Sequence, residues 1–188
     1  MTIADEVNRE RLLIPDCNHA GTSGMRRLTE GSAINIKRTS HAVTAEVVAP
    51  EGGADGAIVA QGGAHSFLRP RSFTVAAEEG VAAGDHQARR EFADDGGGLG
   101  KGATIRLDLD GRQIGEGRVE ASVPLILSMD EPTDIAQDSA SPVSDDHGRD
   151  GRFDGTVCWV QIDVDAAAGN SDHLITPEER LRVAMARQ

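Results

Sequence analysis

The chain contains the residue types that do chemistry, but their spacing seldom brings them together. Its six histidines are His19, His41, His65, His86, His147 and His173. No two have the separation that would place paired metal ligands on one helix or strand. Carboxylates concentrate at Asp130, Glu131, Asp134, Asp138, Asp145, Asp146, Asp150 and Asp154. Calcium is bound by carboxylate and carbonyl oxygens. Asp130, Glu131 and Asp134 are therefore the first candidate metal ligands, and calcium is the one cofactor considered. The stretch lacks the regular spacing of a calcium-binding helix–loop–helix, and its simpler reading is a solvated acidic loop. Asp130 and Glu131 do not form a glycosidase pair. That chemistry needs two carboxylates facing across a cleft, whereas neighbours on a strand point to opposite faces.

Gly96-Gly97-Gly98-Leu99-Gly100-Lys101-Gly102 invites a phosphate-loop reading. The spacing fails: Asp95 stands where the first glycine belongs, Gly102 replaces the hydroxyl residue after Lys101, and a strand pattern follows instead of a helix. No Gly-x-Ser-x-Gly occurs, and no serine and histidine are placed as nucleophile and base. Cys17 and Cys158 are the only cysteines. Cys158 falls in a strand pattern and is expected to be a buried free thiol. Trp159, the only tryptophan, is expected to pack rather than to bind a sugar. No catalytic residue is assigned.

These residues must be positioned by small strands. The chain has 188 residues, which suits one domain, and a net charge of −12. No basic stripe is present to displace counterions, which argues against nucleic acid and anionic membranes as partners. With 22 glycines, 3% aromatic residues and no tyrosine, the chain is rich in turns and thin in core. The start Met-Thr-Ile-Ala-Asp-Glu is not a signal peptide, so the cytoplasm is the default compartment.

The clearest element is a hairpin. Ile105, Leu107 and Leu109 alternate with polar neighbours, and Asp110-Gly111 suits a two-residue turn with positive φ at both positions. That turn sets Leu107 opposite Ile114 and Glu116 opposite Ile105. The second pairing is unfavourable, and a bulge near Gly115 or Gly117 would relieve it. Other strands are expected over 32–37, 41–48, 56–61, 72–75, 86–92, 123–127 and 156–164. In 41–48, Val43, Ala45 and Val47 share a face. In 86–92, Arg90 interrupts the face of Ala88 and Phe92. In 156–164, Cys158, Val160, Ile162 and Val164 share one face, while Val157 and Trp159 take the other. Leu12 to Pro15 reads as an extended lead-in. Thr176-Pro177-Glu178-Glu179 carries a capping box and starts a C-terminal helix. The expected organisation is an irregular lead-in at 1–31, a β domain at 32–166, and a linker with the helix at 167–188.

Several runs, in this order, resemble the C-terminal region of bacterial arylsulfatases. They are Ala33–Lys37, Ser40–Val47, Pro50–Gly63, Asp94–Gly102, Pro142–Asp146, Trp159–Asp163 and His173–Gln188. The resemblance spans roughly residues 24–188. It implies a mostly β fold, an antiparallel concanavalin-like β-sandwich with a short C-terminal α-helix, made incomplete by a shortened segment at 64–75. It also implies a module that packs on a sulfatase catalytic domain, in cis or in trans, with a sulfated or glycan ligand as a further partner. The family's nucleophile lies in a Cys-x-Pro-x-Arg context. Here Cys17 is followed by Asn18-His19-Ala20-Gly21 and Cys158 by Trp159-Val160-Gln161-Ile162, so no catalytic residue carries over and the chain alone is expected to be inactive. Two alternatives stand beside this reading: a lectin-like carbohydrate-binding module with a weak calcium site, and a degenerate sulfatase fragment.

Overall fold

The computed structural model describes residues 36, 39–60, 73–77, 79–96, 101–121, 133–138 and 151–164, and the backbone of 11–15 and 61. The expected strands at 32–37 (Ile36 apart) and 123–127, the C-terminal helix, Cys17, Asp130 and Glu131 lie outside these residues. The described part is mostly β, and its strand pairings are antiparallel. Its strands are β1 (Arg11–Pro15), β2 (His41–Ala49), β3 (Val59–Gln61), β4 (Gly84–Asp94), β5 (Ala103–Leu109), β6 (Arg112–Val119), β7 (Thr133–Ile135) and β8 (Thr156–Val164). Six of them form one sheet in the order β1-β8-β2-β4-β5-β6, and β3 pairs with β7. The extended lead-in is thus an edge strand of the sheet. Pro15 is tolerated there because an edge strand can leave one side unpaired.

One face of the sheet carries the apolar core. Ala45 and Val47 of β2 and Val157, Val160 and Ile162 of β8 pack against Ile135, Ala136 and Phe153. Ile58 and Val59 close against the same cluster. The short pair β3–β7 is tied in by backbone bonds from Ala136 N–H to the Ile58 carbonyl (2.8 Å) and from Phe153 N–H to the Ala136 carbonyl (3.1 Å).

Two bulges correct the faces expected from strict alternation. In β8 the register with β2 shifts so that Glu46 faces Trp159 and Val47 faces Val157, leaving Cys158 as the extra residue. Val157 therefore joins Val160 and Ile162 in the core instead of lying beside Trp159. Cys158 is half-buried rather than buried, because the bulge removes it from the regular alternation. In the hairpin, Asp110 (φ 53°) and Gly111 (φ 79°) form the expected turn. Leu107 faces Gly115, not Ile114, because Ile114 is the bulged residue. Glu116 consequently faces Arg106, and Gly117 faces Ile105.

The bulge also presents Gly115 and Gly117 to a crossing segment. A Cβ on Gly117 would lie 2.6 Å from Val75 Cγ2, and one on Gly115 would lie 3.1 Å from the Ala76 carbonyl oxygen. Phe73, Thr74 and Val75 were expected to belong to a strand. They form none, and the segment instead crosses the hairpin at its two side-chain-free positions. Gly56 (φ +103°) lets the chain approach the Arg152 carbonyl, where a Cβ would meet oxygen at 2.2 Å.

Gly117→Ala is expected to destabilise the fold by about 1–3 kcal/mol, because the β-branched Val75 has little freedom to yield. Gly56→Ala is expected to cost more, since it meets backbone and also requires a left-handed φ. Thermal unfolding of the two variants beside the parent checks the order.

Candidate functional site

The face opposite the core is polar, and its residues fall in rows set by the strand register. Gln161, Thr44, Arg89, Asp108 and Gln113 form one row across five strands. Asp163, Ala42, Glu91, Arg106 and Glu116 form the next. Trp159, Glu46 and Gln87 form a third. Thr44, Arg89, Asp108, Trp159, Gln161 and Asp163 are all buried.

Glu91 organises the charges. Its Oε1 accepts from Arg89 Nη2 (2.9 Å) and Nε (3.2 Å), and its Oε2 lies 3.6 Å from Arg106 Nη1. Arg89 Nη1 donates to Thr44 Oγ1 at 2.9 Å. Arg106 Nε lies 3.9 Å from Glu116 Oε2, an approach made by the bulge at Ile114. Trp159 Nε1 donates to Glu46 Oε2 at 2.8 Å, so the indole is a buried, anchored packing residue as expected. Gln161 Nε2 donates to Asp163 Oδ2 at 2.9 Å. A buried guanidinium is costly unless its charge and donors are met, and Glu91 and Thr44 meet those of Arg89.

At the hairpin turn, Asp110 Oδ1 accepts from the Gln87 amide (2.8 Å), and Asp110 Oδ2 lies 2.7 Å from His86 Nδ1. His86 Nε2 donates to the Ala82 carbonyl at 3.1 Å. Desolvation works against the Asp110 charge, but the Gln87 amide and the His86 ring outweigh it and hold the carboxyl below its usual range.

On the apolar face, His41 stacks on Phe92 with ring centroids 4.9 Å apart. Its Nδ1 donates to the Thr39 carbonyl (3.0 Å) and its Nε2 accepts from Arg90 Nη2 (2.9 Å). That arrangement fits one neutral tautomer. Burial first, and the Arg90 charge second, lower the His41 pKa to about 4.

Of the three proposed calcium ligands, Asp134 is on β7 opposite Ala60, where it is buried and already engaged within the protein. Asp130 and Glu131 are outside the described residues. Among the described residues, no three His, Cys, Asp or Glu side chains gather as a metal site. Sequence reasoning set Val43, Ala45 and Val47 together on one face of β2, but missed the Arg89–Glu91–Arg106 ladder on the other. An i, i+2 pair of charges on a strand was the available signal. Partners on other strands, such as Thr44, become visible only with the register. With this geometry in hand, comparison with family models, curated proteins and solved structures finds no match.

Two outcomes follow. His41 is expected to stay neutral down to pH about 4 by NMR titration. Its unfolded pKa is near 6.5, so the unfolded chain takes up the proton first, and stability falls as pH drops from about 6.5 to about 4. The loss is at most about 3 kcal/mol, and His41→Phe should lack it. Separately, Glu91→Ala is expected to cost on the order of 3 kcal/mol by leaving Arg89 buried without its carboxylate. Glu79→Ala, which breaks an exposed pair with Arg112, should leave the denaturant midpoint unchanged.

Proposed function

We propose that the chain is a non-catalytic β-sandwich module of the arylsulfatase type, which packs on a sulfatase catalytic domain and has no hydrolase activity alone. The observation that carries this reading is the use to which the polar side chains are put. Glu91 is committed to Arg89 and Arg106, Glu46 to Trp159, and Asp110 to His86 and the Gln87 amide. These contacts set strand register and rigidity, which is scaffold work. The runs that carry the resemblance also support it: Ser40–Val47 falls largely on β2 and Trp159–Asp163 on β8, neighbours at the centre of the sheet. The packing of β3, β7 and Phe153 on one face of the larger sheet supports a two-layer arrangement.

The test is a titration of the purified chain into a separately produced sulfatase catalytic domain, followed by calorimetry. Saturable association is the expected result, with no hydrolysis of 4-nitrophenyl sulfate by the chain alone. Calcium-dependent retention on glycan resins, without association, would replace this reading by the lectin-like one. Hydrolysis by the isolated chain would overturn it.

A further inference from the structure

Arg90 takes no part in the charge ladders of the polar face. It lies on the apolar face of the sheet, between Val43 on β2 and Leu107 on β5, with Ala88 and Phe92 as its same-face neighbours along β4. Among the described residues no carboxylate pairs with it. Its Nη2 donates to His41 Nε2. This is notable in a chain with 31 acidic and 19 basic residues, where Arg89, Arg106, Arg112 and Arg118 each face a carboxylate. A guanidinium has five N–H donors in a planar fork, and the His41 contact uses one.

The surroundings define what would complete it. Arg90 is solvent-exposed, yet the protein around it desolvates the charge and lowers its pKa from the ordinary guanidinium value. His41 is clamped by Thr39 at one nitrogen and stacked on Phe92, so it holds the fork in place from one side. It is also neutral through the physiological range, so it adds no competing charge. Arg90 therefore offers a fixed, charged fork bordered by aromatic and aliphatic side chains.

We infer that Arg90 anchors a ligand site for a carboxylate carried on an aromatic or aliphatic body, the carboxylate on the guanidinium fork and the body against Phe92 and Leu107. Arg–carboxylate pairing is planar and bidentate, and the apolar rim rewards the body through burial. The inference does not depend on association with a sulfatase domain.

Benzoate is the probe, with acetate (charge without body) and benzyl alcohol (body without charge) as controls, titrated at low ionic strength into the full chain. The expected result is saturable binding of benzoate, a shift of the Arg90 Nε–H NMR resonance, and binding at least about tenfold weaker for each control. Arg90→Leu, which restores the apolar pattern of the face, should unfold no earlier than the parent and lose benzoate affinity by at least about tenfold. Arg90→Lys should retain part of it. Two results would overturn the site: an Arg90 resonance that does not move in the parent, or equal binding by the parent and the leucine variant.

Discussion

At Cys158 and Ile114 the sheet has one residue more on one strand than on its neighbour. Side chains alternate along a strand, so each extra residue exchanges the two faces for everything beyond it. Most of the described chemistry depends on that phase. Without the insertion in β8, Val157 would leave the core and lie beside Trp159. Without the one in β6, Glu116 would share a face with Ile105 and Leu107, and the two glycines under the crossing segment would be replaced by longer side chains. The bulges reconcile an apolar layer on one side with a charged layer on the other in a sheet whose central strand is buried on both faces.

The charged layer is organised by economy of solvation. A net charge of −12 leaves carboxylates in excess, yet the buried guanidinium of Arg89 is matched to Glu91 and to a threonine hydroxyl. The exposed pairs Arg112–Glu79 and Arg118–Asp95 lie at the rim, where solvent screens them. The central contacts are shielded, and there loss of one partner is felt by the other.

Much of the sheet was legible in the alternation of its residues. β2, β4, β5 and β8 follow from runs of period two, and the hairpin turn follows from Asp110-Gly111 because few other pairs accept positive φ twice. The need for a bulge near Gly115 was readable from the misfit of Glu116, although its site one residue earlier was not. What escaped was non-local. Val157 and Trp159 share one face under strict alternation, and only the register with β2 separates them. Arg90 reads as an error in its strand until His41, on another strand, is seen accepting its hydrogen bond. Asp134 reads as loop surface because burial of a carboxylate has no local signature.

The sheet order places β8 between β1 and β2, so the strand made last among those described is inserted beside strands made first. Glu46 and Trp159 meet across 113 positions of sequence. While the chain is being synthesised, β2 can pair with β4 but one of its edges must wait for β8. The core wall formed by Val157, Val160 and Ile162 is missing for the same interval. Closure of so long a loop is slow, and a half-paired apolar strand is adhesive while it waits. The order of strands thus sets a kinetic hazard: the nascent chain carries an open edge at its centre until nearly all of the described sheet has emerged, and folding competes with self-association throughout that time.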